Sequence, residues 1–323
     1  MEYMEYNEKK NLIKIIKKIV LVIVIGILLN SYLTSPSKAY KALDSYFKKT
    51  YGEEFVIKGI GKRKLKDREW YEAGIVYPKS YIGTVKENDT YYWGRGFAEI
   101  KAFGFDVGDD YGGVLLDESA NKFYGKKLKE LFGENVLPIL KIDGEYKYTD
   151  FPKEASRVRK TILGGIYIFG RVENDEDREW YRKQIYEFVQ FMKETGTFEY
   201  VDLDISIIEK NIMSDEFQNN TELKAELTKS ALGQEYEKYR KERKGILEKY
   251  NFYTYNIDDI QDRISQINRS SLIDLGVGKW SVFNTLLYTK IYSPKYIENQ
   301  NLDNEEVKKY NKISDVKFYF ETW

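Results

Sequence analysis

TILGGIYIFGRVENDEDREWYRKQIYEFVQFMKETGTFEYVDLDISII, residues 161–208, decides what kind of sheet this chain builds. Thr161 to Val172 is almost continuously apolar, the pattern of a strand buried on both faces. Asp175 to Thr195 opens with acidic residues and stops at Gly196. Between them Tyr181, Ile185, Phe188, Val189 and Met192 recur at helical spacing. Glu199 to Ile208 alternates, with Val201, Leu203, Ile205 and Ile207 on one face. A helix of this length between two strands permits the crossover that a parallel pair requires.

Working outward, Thr221 to Tyr250 is a charged helix with a break at Gly233, followed by FYTYN and a helix near Ile257 to Ile267. Trp280 to Tyr292 fits strand and helix periods equally. A short helix near Asp303 to Tyr310 leads to DVKFYFETW, where Val316, Phe318 and Phe320 alternate as in a strand. Upstream, VLPILKI, an Asp143-Gly144 turn and EYKYT carry the signal of a β-hairpin. A helix spans Tyr111 to Phe132 and stops at Gly133. Ser35-Pro36 starts another, with Ala39, Tyr40, Leu43, Phe47 and Tyr51 at helical spacing and Gly52 as its stop. Glu54–Ile60 and Tyr71–Tyr77 are strands around a charged turn, Lys62–Arg68. From Tyr91 to Phe105 one strand face carries Gly94, Gly96, Ala98, Ile100, Ala102 and Gly104. Such a small face invites a packed helix, with Tyr40 and Phe47 as its contributors, the alternative being a ligand groove over the glycines.

The N-terminus is of another kind. Lys9, Lys10, Lys14, Lys17 and Lys18 precede an unbroken apolar run: Ile19, Val20, Leu21, Val22, Ile23, Val24, Ile25, Gly26, Ile27, Leu28 and Leu29. One reading is a signal peptide cut after Ser37-Lys38-Ala39. The other is an uncleaved anchor from about Leu12 to Leu33 whose lysines reach back to the interface. The long gap between Leu29 and Ala39 favours the anchor. Lysines on the N-terminal side make that side cytoplasmic and put the rest of the chain outside, released if Ala39 is a cleavage site.

Composition excludes more than it assigns. Lysine plus arginine, 52, equals aspartate plus glutamate, 52, so the chain lacks the basic field that nucleic acid binding requires. There is no cysteine, hence no disulfide, thiol nucleophile or thiolate metal site. There is no histidine, which removes imidazole bases and ordinary zinc sites. Chemistry is left to carboxylates, lysine, tyrosine or an oxygen-bound cation, and no cofactor is expected.

Four acidic groupings qualify. Asp202 and Asp204 share one face of a strand, the catalytic candidates if held in a cleft, and otherwise a solvent face. Asp106, Asp109 and Asp110 in the loop FDVGDDYGG are the metal candidates, against a plain turn in which Asp110 caps the next helix. Glu173, Asp175, Glu176 and Asp177 suit calcium or a helix N-terminus. Glu99 beside Arg95 and Lys101 reads as ion pairing. Ser35–Lys38 and Ser45–Lys48 match a Ser-x-x-Lys pattern without its companion motifs. Gly94-x-Gly96 lacks the rest of a nucleotide fingerprint. Asp-Arg-Glu-Trp-Tyr recurs at 67–71 and 177–181 without matching flanks.

The phrase YFKKTYGEEF, residues 46–55, resembles the exported modules of bacterial membrane-anchored proteins, loosely cystatin-like or PepSY-like, in which a helix precedes a curled antiparallel sheet. The resemblance spans about residues 35–133 and transfers no catalytic motif. It implies an exported helix-on-sheet fold. The expected class is α+β: a cytoplasmic tail 1–11, a transmembrane segment 12–33, an α+β module 35–150, and a second module 151–323 with a helical insertion 221–250. The expected function is a non-enzymatic binding or assembly module at the cell envelope, with the membrane and an envelope protein or polymer as partners. The alternative is a carboxylate-dependent hydrolase of an envelope polymer.

Overall fold

The computed structural model describes residues 2–102, 104–155, 161–231, 236–251, 261–267, 269–270, 285–302 and 309–319. It is a mixed α+β structure with two four-stranded sheets. The chain divides into two compact units, one of residues 1–87 and 92–112, the other of 88–91 and 113–323.

In the first unit, helix α1 (Glu2–Leu33) precedes α2 (Pro36–Tyr51). Ser35 and Pro36 start α2, and Gly52, at φ +75°, closes it by donating its N–H to Lys48 O. Strands β1 (Phe55–Leu65), β2 (Arg68–Pro78), β3 (Gly94–Lys101) and β4 (Gly104–Asp109) form an antiparallel meander in that order. The charged turn is shorter than expected: only Lys66 and Asp67 lie between β1 and β2, with Lys66 at φ +54°. The single strand expected from Tyr91 to Phe105 is instead a hairpin, β3 pairing with β4 from Gly96↔Asp109 to Lys101↔Gly104. Ala102 and Gly104 therefore leave the small-residue face. The rest of that face does receive a helix. A Cβ on Gly96 would stand 2.9 Å from Leu43 and 3.1 Å from the Phe47 ring, so glycine is what lets α2 lie this close. Ala39, Leu43 and Phe47 are the buried residues of α2, while Tyr40 is 42% exposed. Burial of Leu43 and Phe47 contributes on the order of 2 kcal/mol each.

The second unit orders its sheet β5 (Val136–Asp143), β6 (Thr161–Gly170), β7 (Tyr200–Glu209) and β8 (Thr285–Tyr292). β6 and β7 are parallel and joined by α5 (Asp175–Glu194), as residues 161–208 permit; β5 and β8 pair antiparallel on either side. Tyr181, Ile185, Phe188, Val189 and Met192 all point into the core with Val201, Leu203, Ile205 and Ile207. The same core takes Leu116, Ala120, Tyr124 and Leu128 of α3 (Tyr111–Phe132). That packing puts most of α3 and all of β5 in the second unit, whereas the sequence reading places both in the first module.

The expected Asp143-Gly144 hairpin does not form. β5 pairs with β6, and the amides of Lys147 and Tyr148 donate to the carboxylate of Glu154, fully buried in α4 (Phe151–Ala155). A buried carboxylate thus replaces the ladder that EYKYT would need. The free edge of β5 is blunted by Pro138, which has no N–H, and by α3. Asn121 accepts from Leu140 N and donates to Leu140 O, and Asp117 accepts from Ile142 N at 2.7 Å.

The charged region is a short α6 (Asp215–Asn219), then α7 (Thr221–Ala231) and α8 (Tyr236–Lys249), with the expected Gly233 break outside the described residues. Of Ile257–Ile267 the described part holds α9 (Gln261–Ser265). The undecided stretch before Tyr292 is strand from Thr285, and α10 (Pro294–Gln300) follows. FYTYN, Trp280–Asn284, Asp303–Lys308 and Phe320–Trp323 lie outside the described residues. A 3-10 turn at Ile313–Asp315 precedes the expected strand, whose described residues 316–319 are not in strand conformation and make a main-chain bond from Tyr319 N to Tyr288 O. Val316 and Phe318 are nonetheless buried in the core.

Candidate binding groove

The face of the first sheet opposite α2 carries side chains in cross-strand rows. One row is Arg63, Trp70, Glu99 and Asp106; the next is Gly61, Glu72, Phe97 and Gly108. The two glycines leave the Phe97 row low, and a Cβ on Gly108 or Gly61 would meet nothing within 4 Å. The result is a groove of about 420 Å³ lined by Leu65, Arg68, Trp70, Phe97, Glu99, Asp106, Val107 and Gly108. Leu65 is 65% exposed at its rim. The indole N–H of Trp70 is buried without an acceptor among the described residues.

The charges along the groove are paired apart from that of Asp106. Arg68 holds Glu99 through two bonds, Nε to Oε1 at 3.1 Å and Nη2 to Oε2 at 3.0 Å, and Lys101 lies 3.0 Å from the same carboxylate. These bonds, with Arg68 the stronger, hold the Glu99 pKa down at about 2. The expected partnership of Glu99 with Arg95 does not occur, because Arg95 pairs with Asp110 at 2.8 Å. Arg63 lies 4.0 Å from Glu72.

The loop aspartates diverge. Asp106 is exposed at the groove. Asp109 takes the hydroxyls of Tyr46 and Tyr51, each at 2.6 Å, and the amide of Gly112 at the start of α3. Asp110, expected as the cap, instead accepts from the Arg95 amide and guanidinium, so the capping role falls to Asp109. Among the described residues no three Asp or Glu side chains converge as a cation site. The acidic run before α5 is likewise spent on the helix end: Asn174 accepts from Asp177 N, and Asp177 accepts from Glu173 N.

Asp202 and Asp204 share a face of β7 and are held from β8 and α10. Tyr296 donates to Asp202 at 2.8 Å and Tyr288 to Asp204 at 2.7 Å, with Lys290 Nζ 3.7 Å from Asp204. Burial raises the Asp202 pKa against the opposing Tyr296 bond. Burial and that same bond push the Tyr296 hydroxyl up to about 12. Burial opposes the charge on Lys290, yet the Tyr292 hydroxyl and the two aspartates raise its pKa on balance. This is a cross-strand network on a half-buried face, and each carboxylate accepts from a tyrosine.

A second recess of about 810 Å³ lies beside α3 in the second unit, bordered by Lys122, Lys126, Lys127, Phe123 and Phe191. Asp89 went unnoticed in the sequence. It is fully buried, and accepts from the amides of Tyr91, Arg269 and Ser270 and from the Ser270 hydroxyl. No periodicity marks it; only the fold brings residues 269–270 to it.

In α1, Ile19 to Ile25, Ile27 and Leu29 are exposed. Lys14–Leu33 is long and apolar enough to cross a membrane, with mean hydropathy 2.1 and none of its length buried.

No family model and no curated protein matches the chain. It is similar to the crystal structure of a DUF5037 family protein from Ruminococcus gnavus ATCC 29149. Identity is 16%, the match covers 55% of this chain and 76% of that one, and the TM-score is 0.29, a likeness that carries no argument.

Proposed function

We propose that the chain is a membrane-held, non-enzymatic binding module of the cell envelope, and that it takes its partner in the groove of the first sheet. The observation that carries this reading is the groove itself. Trp70 and Phe97 form an aromatic wall on a solvent-facing sheet, and Gly108 keeps its floor open. A fold seeking only stability gains by filling that space, since a larger residue at Gly108 meets no obstacle. The span Lys14–Leu33 supports attachment, and the lysines before Ile19 support a cytoplasmic N-terminus.

Two experiments test the reading. Protease digestion of intact cells carrying a C-terminal tag is expected to remove the tag; a protected tag refutes the orientation. Full-length chain in detergent is expected to sediment with isolated, protein-stripped envelope polymer, and Gly108→Leu to lose at least tenfold in the fraction bound. Equal sedimentation of both chains refutes the groove as the binding surface.

A further inference from the structure

We infer that the groove takes an uncharged saccharide chain. This deepens the binding reading above and rests on it.

Three features favour that ligand. First, the groove offers flat aromatic surface, Trp70 and Phe97, in neighbouring rows. A pyranose ring presents a face of C–H groups that packs on such a surface, releasing water from both. Second, the groove's polar groups are planar and fixed. The Arg68–Glu99 pair is held by two bonds, so its remaining lone pairs and N–H groups stand at set positions. Vicinal hydroxyls, which both donate and accept, match a guanidinium–carboxylate pair without breaking it. Third, charge is balanced. Arg68 and Lys101 offset Glu99 and Asp106, Arg63 faces Glu72, and Arg95 faces Asp110. An anionic polymer would have to displace Glu99 from Arg68 beside the Asp106 carboxylate, and any charged polymer would desolvate its own charge, costs a neutral chain avoids. The groove crosses all four strands, from Leu65 on β1 to Asp106 on β4. Its axis therefore lies across the sheet, which suits a laid-on polymer rather than an added strand at the sheet edge.

The test is calorimetric titration of the full-length chain, held in a polyoxyethylene detergent so that no sugar headgroup competes. The probes are the neutral hexamers of β-1,4-linked glucose, mannose and N-acetylglucosamine, the acidic hexamer of galacturonate, the basic hexamer of glucosamine, and an uncharged ten-residue Ser/Thr peptide. At least one neutral hexamer is expected to bind, and the charged hexamers and the peptide at least tenfold more weakly. Gly108→Leu is expected to weaken that binding at least tenfold with an unchanged far-UV CD spectrum and a Tm that is not lowered. Trp70→Phe, a second and independent variant, is expected to do the same while keeping an aromatic ring in place. Failure of all three neutral hexamers to bind, or tighter binding of a charged hexamer or the peptide, overturns the inference. If envelope sedimentation is still lost in Gly108→Leu, the groove stands and only the ligand class is wrong. If it is not, the groove reading falls with it.

Discussion

Asp117 makes the stability of the second unit depend on pH in an uncommon direction. Its carboxyl sits between α3 and the edge of β5, where Oδ1 accepts from Ile142 N at 2.7 Å. Burial is the dominant effect and pushes its pKa from 3.8 to about 7, against the Ile142 bond and the charge of Lys141, with Glu118 adding to the rise. Between these values the unfolded chain has released the proton and the folded chain has kept it. Unfolding therefore releases a proton, and stability falls as pH rises from about 4 to about 7 and is level above that. The full loss is about 4 kcal/mol, at 1.36 kcal/mol for each tenfold change in proton affinity. Asp117→Asn keeps an acceptor for Ile142 and removes the titration. The measurement is the urea midpoint of both chains by far-UV CD at pH 4.5, 5.5, 6.5 and 7.5. The variant is expected to gain on the wild type by several kcal/mol over this range, with amide exchange at Ile142 slowing in parallel. A pH-independent difference refutes the reasoning, as does a wild type that gains on the variant with rising pH, which would mean that Asp117 is ionised when folded.

Two further substitutions probe the two units separately. Gly96→Val drives a side chain into Leu43 and Phe47 and is expected to destabilise the first unit by about 1–3 kcal/mol, read as a lower Tm of its tyrosine near-UV signal. An unchanged Tm would mean that α2 is not seated on β3. Asp89→Ala strands three buried or half-buried amides and is expected to cost about 3 kcal/mol or more. Amide exchange at Arg269 and Ser270 should rise before that of the β6 and β7 ladder; uniform exchange across the unit would show that Asp89 does not pin this segment.

The strand-helix-strand unit was legible because each of its parts advertises a local period. Residues 161–172 are apolar throughout, 175–195 repeat at helical spacing and 199–208 alternate, and the structure returns all three with parallel strands. The small face of β3 was legible for the same reason, as was its need of a helix. Of the two contributors expected, Phe47 is there and Tyr40 is replaced by Leu43, since spacing alone cannot separate the two on one helical face. The Asp143-Gly144 hairpin failed because a turn signal states only that the chain can reverse. Whether a second strand follows depends on competing partners, and here Glu154 took the amides of Lys147 and Tyr148. The groove had no sequence signal, since Gly108 reads as part of a loop and only the β3–β4 pairing sets it beside Phe97.

By itself the sequence determined what is local or compositional: the apolar helix and its flanking lysines, the absence of thiol and imidazole chemistry, the positions of most helices, and the strand-helix-strand order at 161–208 that permits a parallel pair. Tertiary structure decided everything that joins distant residues. It gave α3 to the second sheet and tied Asp202 and Asp204 to tyrosines some ninety residues away. It set Trp70, Phe97 and Gly108 side by side. The physical reason is that periodicity fixes which face of an element is apolar, whereas only the packing of many such faces at once fixes which element covers it.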